Sequence, residues 1–279
     1  MLFLFDGHLE LEFTPALVDL DALVSREHLG GLRITGSEAP SDLAFLRNLQ
    51  RVDGNLEIVS AHALQELTGL SNLREVGGHL VIANNNLIRD LSGLEALTTV
   101  DGGLQIRFNR DLTSLQGLNN LSSVLDTLWI EQNPEMRNLN KLAKLRSIPT
   151  TVIVWDNDQL TDLGGITSIA GLGNLIRVGG NLYIGIFVTN IDRTRGGNRG
   201  LLSLDGLDQL ISIGGTLNIR GNSALLDLSA LGRLSFLGGT LTVADNGLLG
   251  SEVIANLVEK LVAEGFAGEV VVQRNAGGE

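Results

Sequence analysis

No cysteine occurs among the 279 residues. That excludes disulfides, thiolate metal sites and a cysteine nucleophile, and it leaves the redox compartment unread. Aromatic residues make up 4% and proline occurs four times, so the core has to be built from aliphatic side chains. Basic residues are in deficit: 20 Lys and Arg stand against 32 Asp and Glu, a formal net charge of −12. This balance argues against nucleic acid or an anionic membrane as partner. No apolar run approaches the roughly 18 residues needed to span a bilayer. The opening Met1-Leu-Phe-Leu-Phe-Asp6 lacks the basic segment of a signal peptide. What is present is 43% hydrophobic residues, a mean hydropathy of +0.20 and 35 glycines. That is material for a large core with many turns.

The chain repeats. Leu32, Leu56, Leu80, Leu104, Leu128 and Val152 follow one another at intervals of 24, as do Leu217 and Leu241, while Leu9, Leu182 and Val270 fit the same role at other intervals. The pattern runs Gly-Gly-x-Leu-x-Ile-x-x-Asn and then Leu at every third position, clearest in residues 77–100 and 101–124. The Leu-x-Ile alternation predicts a short strand with one buried face. The following Leu-x-x-Leu spacing turns a side chain inward every third residue, as tight turns do. A glycine column at Gly30, Gly54, Gly78, Gly102, Gly180, Gly215, Gly239 and Gly268 marks a bend needing positive φ or close backbone approach, and it breaks at Asp126 and Thr150. An asparagine column at Asn85, Asn109, Asn133, Asn157, Asn222, Asn246 and Asn275 lies five residues after the strand Leu or Val. Stacked amides there are expected to form a structural ladder that satisfies turn amides and carbonyls.

A single repeat cannot bury its own face, but stacked repeats can. The expectation is therefore one elongated, mainly β solenoid of about ten to eleven coils over residues 1–279. Residues 1–8 form a lead-in, 9–250 the coils, and 251–279 a capping helix and last strand. The apolar spacing of Val253, Ile254, Leu257, Val258, Leu261 and Val262 predicts the helix over 251–266. The lead-in is too short to cover the first coil, which suggests a cover supplied from elsewhere, by another domain or by self-association. Two intervals exceed the period: Val152 to Leu182 by six residues and Leu182 to Leu217 by eleven. The extra residues are placed in Leu163–Leu175 and Gly185–Leu201, the second holding Arg193 and Arg195 in a Gly-rich basic stretch.

The Val76-Gly-Gly-His-Leu-Val-Ile82 segment with Asn85, and its counterparts Val178-Gly-Gly-Asn-Leu-Tyr-Ile184 and Leu237-Gly-Gly-Thr-Leu-Thr-Val243, resemble the receptor L-domain family. These are leucine-rich, β-helix-like solenoids of receptor ectodomains, with relatives among bacterial surface proteins. The resemblance implies a right-handed parallel β-helix, a non-catalytic binding role, and a place at the cell surface or envelope. The leucine-rich repeat class shares the strand motif, so a curved horseshoe and a straight β-helix both remain open. The absence of cysteine means that the ligands of disulfide-bonded receptor ectodomains are not carried over.

On the outward strand face, the columns one and three residues after each strand Leu hold the protein's two Trp and its one Tyr. Trp129, Trp155 and Tyr183 fall in three consecutive coils, with Ile153 between them and Arg107 and Glu131 beside them. Clustered aromatics on a solvated sheet mark interaction surfaces or carbohydrate platforms, or else form a stabilising cross-strand ladder. Trp129, Ile153, Trp155, Tyr183, Arg107 and Glu131, with Arg193 and Arg195 from the insertion, are the candidate binding residues. Arg107 and Glu131 are expected to pair between adjacent strands, and Glu10, Arg33 and Glu57 to form a salt-bridge ladder.

Signals of chemistry are sparse. His8 and His79 lie three coils apart and His28 and His62 occupy other bends, so no metal site is expected. No lysine follows a glycine in a phosphate-binding pattern, and no nucleophile elbow occurs. Asp156-Asn-Asp158 reads as a solvated turn. The resulting expectation is a module with no cofactor that binds a protein or glycan. A structural spacer within a larger surface protein is the alternative, and a polysaccharide-cleaving β-helix is a further one.

Overall fold

The computed structural model describes residues 2–5, 8–12, 20–36, 41–161, 163, 172–186 and 197–276. Eleven parallel strands stack in one sheet, from His8–Glu12 through Leu32, Leu56, Leu80 and their successors to Val270–Gln273. Every repeat Leu or Val registers against the next: Leu80 with Leu104, Leu128 with Val152, Leu182 with Leu217. At the usual strand spacing of roughly 4.8 Å, the stack is about 48 Å long. Nine two-residue strands make a second face, in runs of five and four. The solenoid thus has about nine full turns carrying both faces, against eleven strands on the first. The difference lies at the ends, where a helix and a hairpin replace the second face.

The core follows the pattern's inward positions. Leu80 and Ile82 of the strand Leu80–Ala83 are fully buried, as are Ile88, Leu91, Leu94, Leu97 and Val100 in the rest of the same coil. Those turns close with bonds three residues long, such as Leu94 N–H to Leu91 C=O at 3.1 Å and Leu97 N–H to Leu94 C=O at 3.0 Å. Four short 3₁₀ helices carry the same geometry, Ala44–Leu46, Thr68–Leu70, Asn140–Leu142 and Ser229–Arg233.

Close approach, not positive φ, explains the glycine column. A Cβ on Gly102 would lie 2.6 Å from the Gly78 carbonyl carbon. Where Asp126 and Thr150 replace glycine, the second face divides between Ser123–Val124 and Ser147–Ile148, and the Thr150 hydroxyl donates to Asp126 Oδ1 at 2.8 Å.

Positive φ falls instead on the residue that follows most long strands. Ser60, Asn84, Phe108, Gln132, Asp156, Asp245 and Arg274 have φ between 48° and 58°. This left-handed step is unfavourable for side-chain-bearing residues by roughly 1–2 kcal/mol each. It turns the next residue inward, where the asparagines sit. Asn85 Oδ1 accepts the Ala61 N–H at 2.9 Å, and from Asn109 on each Asn Oδ1 accepts the backbone N–H of the asparagine before it in the ladder: Asn85 N–H to Asn109 at 3.0 Å, Asn109 to Asn133 at 3.2 Å, Asn133 to Asn157 at 3.1 Å. Each Nδ2 donates to a strand carbonyl of the preceding coil, as Asn109 does to Ile82 at 2.9 Å. The ladder has a member that the column did not reveal. Asn198 takes the place between Asn157 and Asn222, accepting from Asn157 N–H and donating its own N–H to Asn222 Oδ1, both at 3.1 Å. The step from Asn157 to Asn198 is 41 residues, so the eleven extra residues fall between the strand Leu182–Gly185 and its asparagine.

The ends differ from expectation in two respects. Leu2–Phe5 is not a bare lead-in but an antiparallel strand on His8–Glu12, with Leu2 opposite Leu11 and Phe5 opposite His8. In the sequence the two strands are separated by Asp6-Gly7, a dipeptide favoured by two-residue hairpins. The C-terminal helix runs Ser251–Ala263 and buries Ile254, Leu257 and Leu261, while Val262 points outward and is exposed. Its Lys260 ammonium donates to the Leu231 and Leu234 carbonyls at 3.3 and 2.5 Å, closing the end of the last 3₁₀ turn. On the outer face Arg33 bridges Glu10 at 3.4 Å and also pairs with Glu57, completing the charged column. No helix among the described residues is long and apolar enough to cross a membrane.

Candidate functional site

Strand register assembles the aromatic face. Gln105, Trp129, Ile153 and Tyr183 form one row across the strands Leu104–Arg107, Leu128–Glu131, Val152–Trp155 and Leu182–Gly185. Arg107, Glu131 and Trp155 form a second row two residues further on. The rows are not equally open. Ile153, Glu131 and Trp155 are 4%, 5% and 7% exposed, whereas Gln105, Arg107, Trp129 and Tyr183 are half-buried. Within these two rows Trp129 and Tyr183 therefore carry the accessible aromatic surface, and Trp155 is not the open platform that its column suggests. Arg193 and Arg195 lie outside the described residues.

Arg107 and Glu131 do not form the expected interstrand ion pair. The guanidinium carbon of Arg107 stands 4.5 Å from the centre of the Trp129 ring and 5.9 Å from that of Phe108. A planar, weakly hydrated guanidinium stacks well on an aromatic face, and the half-buried indole provides one. Glu131 is left under cover. Burial pushes its carboxyl above the ordinary range; the Arg107 charge and the Trp129 indole oppose the rise, and Asp156 adds to it. Asp156 is raised in the same way, first by burial and then by the neighbouring Asp158, with Arg199 and Gln132 opposing.

Two depressions flank this ridge. At the start of the strands, Gln105, Trp129, Ile153 and Tyr183 line a hollow of about 290 Å³ together with the pre-strand residues Asp126, Thr127, Thr151 and Asn181. Its aromatic floor and amide, hydroxyl and carboxylate rim suit a ligand with both apolar and hydrogen-bonding surface. At the far end, a hollow of about 530 Å³ is lined by Phe108, Gln132, Trp155, Asp156 and Asp158, with Arg110 and Pro134. The outward columns ended at the strands, so they missed these post-strand residues. The signal that finds them is the left-handed column that also carries Phe108, Gln132 and Asp156.

Among the described residues no three His, Asp or Glu side chains are placed to hold a metal ion. His79 has a structural part, its Nδ1 accepting the Gly103 N–H at 2.8 Å.

No curated protein and no solved structure matches the chain. The family model described as Receptor L domain matches residues 50–103. That segment spans the strands Leu56–Val59 and Leu80–Ala83 and ends one residue before Leu104–Arg107, so the similarity bears on the repeat and stops short of the aromatic rows.

Proposed function

We propose that the protein is a non-catalytic recognition module of the cell surface or envelope, which binds a protein or glycan on its outward strand face. The observation that carries this reading is the hollow bounded by Trp129 and Tyr183. Two half-buried aromatic rings there sit beside a polar rim on a rigid sheet, in a protein whose aromatic content is 4%. Rigid aromatic surface loses little conformational freedom on binding, which is why it concentrates at recognition sites. The match to a Receptor L domain model over residues 50–103 supports a binding role for the repeat, and says nothing of a ligand.

The test is binding of the purified protein to envelope proteins and to immobilised glycans, compared with the Trp129→Ala/Tyr183→Ala double variant. Loss of binding by at least tenfold with an unchanged thermal midpoint is expected. An equal fall in stability and binding would return the rings to a purely structural ladder. The spacer reading is favoured by a different observation. Among the described residues the edge strand Val270–Gln273 is paired on one side only and exposes Val270 and Val272, a surface onto which further structure could stack.

A further inference from the structure

The wall of the solenoid beyond the long strands carries its charge unevenly. Arg137, Lys141, Lys144 and Arg146 all fall within residues 136–155, and Arg177 lies on the next coil. No acidic residue occurs in 136–155, in the preceding coil over 112–125, or in the described stretch 172–186 of the coil that follows. This happens in a protein with 32 acidic residues against 20 basic ones. The repeat turns these cations outward. Leu139, Leu142, Leu145 and Ile148 are fully buried, so the polar residues between them face solvent. Arg137, Lys144, Arg146 and Arg177 are exposed, and Lys141, in the 3₁₀ helix Asn140–Leu142, is half-buried. Backbone pairing then joins the coils. The Arg146 carbonyl accepts the Ile176 N–H at 2.8 Å and Ser147 registers with Arg177, which sets the two arginines on neighbouring coils about 4.8 Å apart. Elsewhere Arg33, Arg51, Arg220 and Arg274 pair with carboxylates. Among the described residues none of the five wall cations does so, and the one side-chain bond they make is Lys144 Nζ donating to Asn120 Oδ1 at 2.6 Å.

These features select among partners. Exposed like charges within roughly a Debye length of one another sum their fields, and no carboxylate of the wall cancels them. The charges are strung along a coil and across to the next, which suits a chain with anionic groups at intervals better than one compact ion. A folded acidic protein needs an apolar or aromatic centre to its interface. Here Leu125 is the one large apolar side chain exposed among the described residues of these stretches, and none of their exposed side chains is aromatic. Single-stranded nucleic acid lacks its stacking platform for the same reason. The side chains exposed between the cations include Asn119, Asn120, Ser122 and Ser147, amides and hydroxyls that pair with sugar hydroxyls. We propose that this wall, centred on Lys141, Lys144, Arg146 and Arg177, binds a polyanionic glycan, a sugar chain bearing sulfate, phosphate or carboxylate groups. The surface is separate from the Trp129 and Tyr183 hollow, so it stands or falls independently of that site.

The experiment is titration of the whole protein with dextran sulfate, poly(glycerol phosphate) and polygalacturonate, against neutral dextran and polyglutamate. The comparison variants are Arg146→Gln/Arg177→Gln and a charge-matched control, Arg47→Gln/Arg74→Gln. Arg74 occupies the column of Arg146 three coils earlier, beside Glu75. Both pairs are exposed, so thermal midpoints should stay at the native value. Saturable binding of at least one anionic glycan and none of neutral dextran is expected, with affinity falling as salt rises because bound counterions are released. Arg146→Gln/Arg177→Gln should weaken it about tenfold and flatten its salt dependence, while the control and Trp129→Ala/Tyr183→Ala bind as the native protein does. The three anionic arms separate sulfate, phosphate and carboxylate as the charged group. The proposal is overturned if no anionic glycan binds at low salt, or if the two arginine pairs weaken binding equally, which would reduce the effect to net charge. Tighter binding of polyglutamate than of every glycan would overturn it in favour of an acidic peptide. A salt-sensitive dimer of the protein alone, lost in Arg146→Gln/Arg177→Gln on sedimentation, would overturn it in favour of a second copy of the chain.

Discussion

Glu131 is a carboxylate on a column that faces outward, yet it is 5% exposed. Its acidity is set by cover, with burial the largest influence and the Arg107 charge only a partial answer. Because its folded pKa is raised, ionisation opposes folding above the ordinary value of 4.5 and ceases to matter below it. Glu131→Gln is therefore expected to raise the thermal midpoint by a few degrees at pH 7. The gain should shrink to nothing as the pH falls below the ordinary carboxylate range, which paired melting curves at pH 7 and pH 3 would show. A gain that persisted at pH 3 would place the effect in packing rather than charge. Asp245 is the opposite case. Arg274 and Arg220 hold its carboxyl below the usual range against the effect of burial, so its charge supports the last coils above that range and stops doing so in acid.

At the scale of the element, six coils combine an unfavourable left-handed residue with the asparagine that follows it, from Asn84-Asn85 to Arg274-Asn275. Asn133 shows how much depends on that amide. Its Oδ1 accepts the Asn109 N–H, and its Nδ2 donates to the Ile106 and Glu131 carbonyls at 2.9 and 3.0 Å. Asn133→Ala leaves the buried Asn109 N–H without its acceptor and the Ile106 carbonyl without this donor, while the Glu131 carbonyl keeps the Phe108 N–H; each buried group left unsatisfied costs roughly 1–3 kcal/mol. A loss of about 3 kcal/mol or more is expected in urea unfolding. Asn275→Ala, at the end of the ladder where the side chain is 8% exposed and water can substitute, should cost clearly less. Equal losses at the two sites would mean that the ladder is not a chain of individually satisfied groups. The ladder was legible in the sequence wherever the period held at 24. Asn198 was not, because an eleven-residue insertion moved it from the expected position after Leu182, and only backbone stacking brings it into line.

Across the whole molecule, coils touch mainly their neighbours, so stability is a sum of local interfaces closed by two unlike ends. The antiparallel strand Leu2–Phe5 lies at one end, and at the other the helix buries Ile254, Leu257 and Leu261 before the edge strand Val270–Gln273. Leu257→Ala should loosen the end it covers without reaching the middle. Hydrogen exchange should quicken in Leu241–Ala244 and Val270–Gln273 while Leu104–Arg107 keeps its protection. Uniform loss of protection would indicate that the stack unfolds as one unit.

The repeating pattern of the sequence by itself determined the solenoid, its inward columns, its strand register and the row that brings Trp129, Ile153 and Tyr183 together. It could do so because each coil places equivalent residues against equivalent residues one period away. The tertiary structure alone decided how the outward face is used. It buried Trp155 and Glu131, turned Arg107 from its expected carboxylate to the Trp129 ring, and opened a hollow at each end of the strands. These outcomes depend on the space between side chains of different size in neighbouring coils, and on a glycine of φ 93° at Gly185 where other coils carry a side chain. A column of letters records which residues are neighbours, but which of them stays open to a ligand is set by how their volumes and charges pack.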